Sequence, residues 1–329
     1  MSQWAIGMDL GGTALKAAVA VRDGDVLFEE SFPTEALRGP RAVLDLLGGA
    51  ASELYRRAAS RLDPASFSGI GLGAPGAVDR LKGTLSHPPN LPGWEVVELR
   101  RELQERIAAD PGLSCPVQLD NDANAAAYGE AVYGAGRSFP DFLMVTLGTG
   151  VGGGIILDRR LYRGPNGTAG EIGFMIVDYA GSSLHAGIRG TLEGLIGKER
   201  MVEMARRMIA DHPERSLVAD LCHGDWASLS PRHLETAALD GDPAALEVWS
   251  RVGSILGAGL AGVTALMDIR RFVIGGGISA AGELLFKPAL AQLRRSTLPS
   301  MHEGLAVVGA ELGNRAGTHG AAALCFEGG

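Results

Sequence analysis

Cysteine is scarce in this chain: Cys115, Cys222 and Cys325 are three residues in 329, far apart and odd in number. No two of them have metal-ligand spacing, which argues against a cysteine metal site and a disulfide framework and fits a reducing, cytoplasmic setting. Long hydrophobic runs are missing too. The best candidate, Val252 to Met267, is rich in Gly and Ala and falls short of the roughly 20 residues a span needs. It reads as a buried helix, so no membrane partner is expected. Met1 to Ile6 lacks the charged-then-apolar order of a signal peptide. There is no block of like charge, no low-complexity tract and no basic stripe, and the formal net charge is -8. Disorder and nucleic-acid binding are both disfavoured by that balance.

What is abundant is glycine, 48 residues, in a chain that is 46% hydrophobic and long enough for two domains or one large one. The glycines cluster at Gly11-Gly12, Gly71 to Gly76, Gly148 to Gly154, Gly164 to Gly173 and Gly275 to Gly277. Glycine lets a backbone turn sharply or approach a ligand closely. Several such clusters imply one large ligand held from several loops; the plainer alternative is a set of hairpin turns.

The spacing predicts three antiparallel strands, Trp4 to Met8, Ala14 to Val21 and Val26 to Glu30, with a turn at Asp23-Gly24. A helix over Pro40 to Leu62, a buried strand over Gly69 to Gly73, a helix over Val96 to Ala109 and a strand over Val117 to Leu119 follow. A helix begins at Ala123. Strand, glycine loop, strand and turn then recur over Phe142 to Arg159. Helices are expected at Glu193 to Ala210, Pro231 to Leu239, Ala244 to Ala265, Glu283 to Leu293 and Ala316 to Phe326, with strands at Arg271 to Ile274 and Ala306 to Ala310. The pattern occurring twice predicts two α/β domains of related topology facing each other across a cleft. The expected division is 1–119 and 120–329, with the last helix, 316–329, free to pack back on the first domain.

Six motifs carry the chemistry. Asp9-Leu10-Gly11-Gly12-Thr13, with Lys16 nearby, puts a carboxylate at a strand end before a turn whose N–H groups suit an anion. Asp9 is then placed to hold a hydrated Mg²⁺. Thr146-Leu147-Gly148-Thr149-Gly150 repeats that logic, and a pair of such loops would clamp a polyphosphate. Neither is a Walker A loop. Asp120-Asn121-Asp122 opens a helix; the acidic residues either cap it or, for Asp122, deprotonate a hydroxyl attacking a γ-phosphate. His87-Pro88-Pro89-Asn90 is an extended, proline-held loop in which Asn90 offers a donor and an acceptor. Glu171 and Glu193 suit vicinal hydroxyls, or are solvated surface residues. Gly275-Gly276-Gly277 follows an apolar strand and suits close packing against an adenine ring.

In this order the motifs resemble the ROK family of repressors, open reading frames and sugar kinases, over Ile6 to Leu324. The resemblance implies a two-domain actin-like ATPase (ribonuclease H-like) fold and an ATP- and Mg²⁺-dependent sugar kinase of the glucokinase type. It implies Asp122 as catalytic base. It implies Gly11, Gly12, Thr13, Thr149 and Gly150 as phosphate contacts, Gly276 and Gly277 on the adenosine side, and Gly76, Asn90, Asn121, Glu171 and Glu193 near the sugar. Members are usually homodimers or homotetramers. The family's repressors carry a helix-turn-helix ahead of the first phosphate loop; here that loop begins at Asp9, which points to the kinase branch. One departure stands out. The family's zinc motif, Cys-x-Cys-Gly-x-x-Gly-Cys-x-Glu with an upstream His, is replaced by Leu184, Ala186 and Thr191 at the cysteines and Phe174 at the histidine. His185 alone cannot supply the roughly four ligands of a zinc site, so no structural zinc is expected. The resemblance also puts that histidine on the sugar, so Phe174 leaves the hexose open. The leading expectation is phosphorylation of glucose at its 6-hydroxyl. The alternatives are a kinase for N-acetylmannosamine or N-acetylglucosamine, polyphosphate as donor, and a catalytically silent sugar sensor.

Overall fold

The computed structural model describes residues 2–23, 26–110, 112–210 and 216–327. Gly24, half of the expected first turn, lies outside them, as does the end of the last helix region beyond residue 327. Contacts divide the chain into two units: Met1–Pro140, Gly154–Ala169 and Glu311–Gly329 form the first, and Asp141–Gly153 and Gly170–Ala310 the second.

The first unit is built on β1 (Trp4–Leu10), β2 (Ala14–Val21), β3 (Val26–Pro33), α1 (Pro40–Ala59) and β4 (Phe67–Ala74). A small antiparallel sheet follows, made of β5 (Ala77–Asp79), β6 (Thr84–Ser86) and β7 (Val96–Val97). Next come α2 (Leu99–Ile107), β8 (Val117–Asn121) and α3 (Asp122–Tyr133). The main sheet has the order β3-β2-β1-β4-β8. β1 runs antiparallel to β2 and parallel to β4, and β4 is parallel to β8. Alternation along β1 assigns its two faces. Trp4, Ile6, Met8 and Leu10 join Val43, Leu47 and Leu54 of α1 and Leu99 and Leu103 of α2 in one core. Ala5 joins a second cluster with Ala20 and Ala322 on the opposite face. Both faces are covered, so the strand reads as a continuous apolar run rather than an alternating one. Val96 and Val97, expected in a helix, are strand instead; these β-branched residues pair with β6 across Leu85↔Val97 and Ser86↔Val96.

The second five-stranded sheet takes the order β11-β10-β9-β14-β15. Its strands are β9 (Phe142–Leu147), β10 (Val151–Leu157), β11 (Arg160–Tyr162), β14 (Arg271–Gly275) and β15 (Ala306–Gly309). β14 runs parallel to both β9 and β15. The repeated strand pattern is thus a repeated sheet order: a hairpin ribbon on the first strand, then parallel strands on its other side. Between these strands lie the short hairpin β12 (Leu184–His185) and β13 (Ile188–Arg189), then α4 (Leu192–Ile196), α5 (Lys198–Ala210), α6 (Leu217–Leu221), α7 (Pro231–Leu239), α8 (Pro243–Met267) and α9 (Glu283–Arg295). The single helix expected over Glu193 to Ala210 is two, because Gly197 leaves the helical region at φ -56, ψ 156. α8 has 25 residues and is long and apolar enough to cross a membrane, unlike the shorter run read from the sequence. It is a core helix: Val248, Val252, Leu256 and Leu260 are buried, and it packs on α4, α5, α7 and α9.

The closing helix α10 (Ala316–Leu324) packs on β1, β2, β4 and α3. Glycines make room for it. A Cβ on Gly7 would lie 1.9 Å from the Thr318 carbonyl oxygen, and one on Gly71 would lie 1.7 Å from that of Ala321. Gly71 therefore seats a helix, and Gly73 abuts Ala125 and Asp122 of α3. The Gly71 to Gly76 cluster is not one ligand-gripping loop. Its first members serve backbone packing, and only Gly76, at φ 94, makes a turn.

Candidate active site

Within the first unit the predicted residues converge on the ends of β1, β4 and β8. Asp9 is the penultimate residue of β1, opposite Lys16 in the β1–β2 register. Burial pushes its carboxyl above the ordinary aspartate range, and the Lys16 ammonium pulls it partly back. α10 lies over it, since a Cβ on Gly317 would sit 2.6 Å from Asp9 Oδ2. A desolvated carboxylate with one lysine nearby is a donor set that suits a hydrated divalent cation, whose charge would offset the cost of burial. In the adjoining loop the Gly11 N–H donates to the Ala14 carbonyl at 3.0 Å. Gly11 thus shapes the turn instead of offering that N–H to a ligand. Gly12 allows a close approach, because a Cβ there would lie 2.6 Å from the Cβ of Asn90 and 2.8 Å from its carbonyl oxygen. The proline-rich loop is therefore docked on the first glycine loop. It is also less extended than expected: His87 and Asn90 sit at φ 44 and φ 62. Two left-handed residues fold it back, a conformation that asparagine tolerates well.

The Asp120-Asn121-Asp122 segment divides its labour in a way the sequence did not indicate. The side chain that caps α3 belongs to Asn121, whose Oδ1 accepts the N–H groups of Ala123 at 2.9 Å and Asn124 at 3.3 Å. Its Nδ2 donates to the Gly76 carbonyl at 3.3 Å, which leaves one amide hydrogen for a ligand. Asp120, 4% exposed, does not cap. Its Oδ1 accepts from the Asn121 N–H and from Asn124 Nδ2, each at 2.9 Å, and its Oδ2 accepts from Arg163 Nε at 2.6 Å. Asp122 is the first residue of α3, and its Oδ1 accepts the Ala123 N–H at 2.8 Å. Arg163 thus anchors Asp120, and Asp120 anchors the turn that carries Asn121 and Asp122. Replacing the guanidinium leaves Asp120 buried with one oxygen unmatched. Arg163→Met should cost about 2 kcal/mol in a urea melt, a usual cost for losing a hydrogen bond to a buried charge.

The second unit brings together Leu147 to Gly150, Glu171, Glu193 and the Gly275 to Gly277 loop. The Gly148 N–H closes onto the Gly150 carbonyl at 2.9 Å, a turn akin to that at Gly11. Gly276, at φ 84, abuts this loop, and a Cβ there would lie 2.2 Å from the Leu147 carbonyl oxygen. Thr149, Gly276 and Gly277 are exposed. Beside Gly277 is a cavity of ≈ 370 Å³ lined by Pro231, Arg232, Glu235, Trp249, Ile278 and Ala280. Of these lining residues the sequence reading singled out only Gly277. The others come from α7, α8 and the turn after β14, and no local pattern signals that these elements meet.

Glu193 is held at both carboxylate oxygens. Oε2 accepts the Val151 N–H at 2.7 Å, and Oε1 lies 2.9 Å from His185 Nε2. Gly150 is required for this, since a Cβ there would lie 2.6 Å from Oε2. Glu171 is exposed at the start of the following turn. Partial desolvation and the charge of Glu193 raise its carboxyl above the ordinary glutamate range. Leu184 and Phe174 are 55% and 41% exposed, so the segment around the replaced cysteines is not closed by an apolar core of its own. Thr191, buried, caps α4 through the Gly194 N–H at 3.1 Å. Among the described residues no three His, Cys, Asp or Glu side chains gather as a metal site.

The model of the ROK family matches residues 5–327. The chain is 34% identical over 325 residues to the glucokinase of Streptomyces coelicolor, covering 98% of this chain and 97% of that one. It is 33% identical to a solved ROK family glucokinase from Streptomyces griseus in complex with glucose and AMPPNP, with a TM-score of 0.81 and coverage of 99% and 100%. A solved ROK family transcriptional regulator, a homologue of the E. coli MLC protein, superposes with a TM-score of 0.85 at 26% identity, covering 99% of this chain and 78% of that one.

Proposed function

The chain belongs to the ROK family and has its mixed α/β, actin-like ATPase fold, and from that premise we propose that it is a sugar kinase transferring the γ-phosphoryl group of ATP to the 6-hydroxyl of glucose or a closely related hexose. The observation that carries this reading is the convergence of Asp122, Asn121, Gly76, Asn90 and the Gly11–Gly12 loop within one unit. A carboxylate close to amide groups that can meet hydroxyls, with a glycine turn nearby of the kind that receives phosphate, supports the reading.

In the proposed reaction Asp122 accepts the proton of the attacking hydroxyl as its oxygen bonds to the γ-phosphorus, and ADP departs. Asn90, Asn121, Glu171 and Glu193 orient the sugar. Gly12, Thr13, Thr149 and Gly150 line the phosphates, with Lys16 adding positive charge. Gly276, Gly277 and the cavity next to them take the adenosine end. Asp9 would hold Mg²⁺ through water, and the ion supplies charge neutralisation on the phosphates. The glucokinase relatives at 33–34% identity support glucose as acceptor.

A coupled assay over a hexose panel tests this. Glucose with MgATP is expected to give the highest kcat/KM, ahead of mannose, N-acetylmannosamine and N-acetylglucosamine, and ahead of polyphosphate as donor. Calorimetric glucose binding without phosphorylation of any sugar would make the chain a sensor and overturn the proposal.

A further inference from the structure

We infer that His185 is a positioning residue for sugar recognition: it holds Glu193, the proposed hydroxyl ligand, in the rotamer that binds. This rests on the sugar-kinase reading above and adds a residue to it.

A glutamate side chain has three torsions, and an exposed one samples many of their combinations. Glu193 does not have that freedom. One oxygen is fixed by the Val151 N–H at 2.7 Å and the other by His185 Nε2 at 2.9 Å. A carboxylate only accepts, so Nε2 must carry the hydrogen. The Val151 bond ties Glu193 to the loop ending at Gly150, and the His185 bond fixes the far side. Each oxygen keeps a lone-pair direction for a ligand hydroxyl, which is what a vicinal diol requires.

His185 is itself held. It closes the β12–β13 hairpin opposite Ile188, and the turn depends on Ala186 at φ 47 and Gly187 at φ 79. The hairpin is docked on α4: the Ser183 hydroxyl donates to the Gly194 carbonyl, and a Cβ on Gly194 would lie 3.1 Å from that of His185. The Phe174 ring lies 5.7 Å from the imidazole, at 46° to it. A histidine packed by its stem and joined through its tip to a carboxylate is placed to orient that carboxylate. With 33% of its side chain exposed, it is not a core residue whose loss must unfold the unit.

His185→Ala is expected to raise the KM for glucose roughly tenfold, the usual scale for one charge-assisted hydrogen bond, while the KM for ATP and the melting temperature hold. His185→Gln keeps an N–H donor and is expected to recover most of the loss. Calorimetric titration with glucose should follow the same order. An unchanged glucose KM in His185→Ala overturns the inference. So does a His185→Gln variant no better than the alanine one, or a rise in both KM values together with a lowered melting temperature. If the wild type phosphorylates no sugar, the kinase reading fails, and glucose titration of the three proteins still decides the role of His185.

Discussion

Asp122→Asn should lower kcat by about a thousandfold, within the range that general-base catalysis contributes, with glucose and ATP binding close to wild type. Asparagine is the informative substitution here. The Asp122 carboxylate also accepts the Ala123 N–H at 2.8 Å in the first turn of α3. An amide oxygen keeps that bond, so the helix start survives while the proton-accepting capacity is lost. The α3 cap belongs to Asn121, which separates the catalytic question from the structural one further. Steady-state kinetics with coupled detection, beside calorimetric titration of glucose, make the measurement. A variant turning over within about threefold of wild type would remove Asp122 as base, since a positioned base contributes at least about a hundredfold. Lost glucose binding with little change in kcat would assign it to substrate binding.

The largest expected effect on folding lies elsewhere, at Gly320. A Cβ there would lie 1.6 Å from the Ala125 carbonyl oxygen and 2.7 Å from the Gly129 nitrogen. These are backbone atoms of a buried helix, so no side chain can swing aside. Gly129 faces the same crossing, with a Cβ position 2.4 Å from the Ala316 carbonyl oxygen. α3 and α10 therefore meet backbone to backbone. Gly320→Ala must push them apart, and α10 also fills the groove over Gly7 and Gly71. The cost should reach at least about 3 kcal/mol, the upper part of the range for overpacked cores, read as a lower midpoint in urea. Because α3 begins at Asp122, kcat should fall as well. By contrast Gly49, with nothing within 4 Å of its Cβ position, should accept alanine in α1 without loss. Equal stability of the two variants would show that α10 does not pack as described.

These two residues also mark how far the sequence could be read. The strand-to-helix junction at Asp122 was legible because its signal is local. A short apolar strand ends in Asp-Asn-Asp, and a helix pattern follows at once. The glycine loops at Gly11 and Gly148 share that property, and so do most strands and helices, whose periodicity lies within each segment. The roles of Gly7, Gly71, Gly129 and Gly320 were hidden. A glycine that frees a turn and one that admits a helix look alike in a chain, and only the neighbouring backbone separates them. The same holds for polar partners. Arg163 meets Asp120 from 43 residues away, and Val151 meets Glu193 from 42. No spacing rule reaches that far. The hairpin around His185 was missed because its strands are two residues each, too short to show alternation.

By itself, then, the sequence determined the kinds of groups available and the strand ends that present them: a base candidate, two glycine loops, and amide and carboxylate ligands. Those follow from neighbours along the chain. The tertiary structure alone decided which carboxylates are clamped, by Arg163 and by His185, and which glycines belong to packing rather than to a ligand. The reason is physical. A rotamer is held, and a Cβ excluded, by atoms brought near through folding, and close packing assigns those neighbours only once helices and sheets have met.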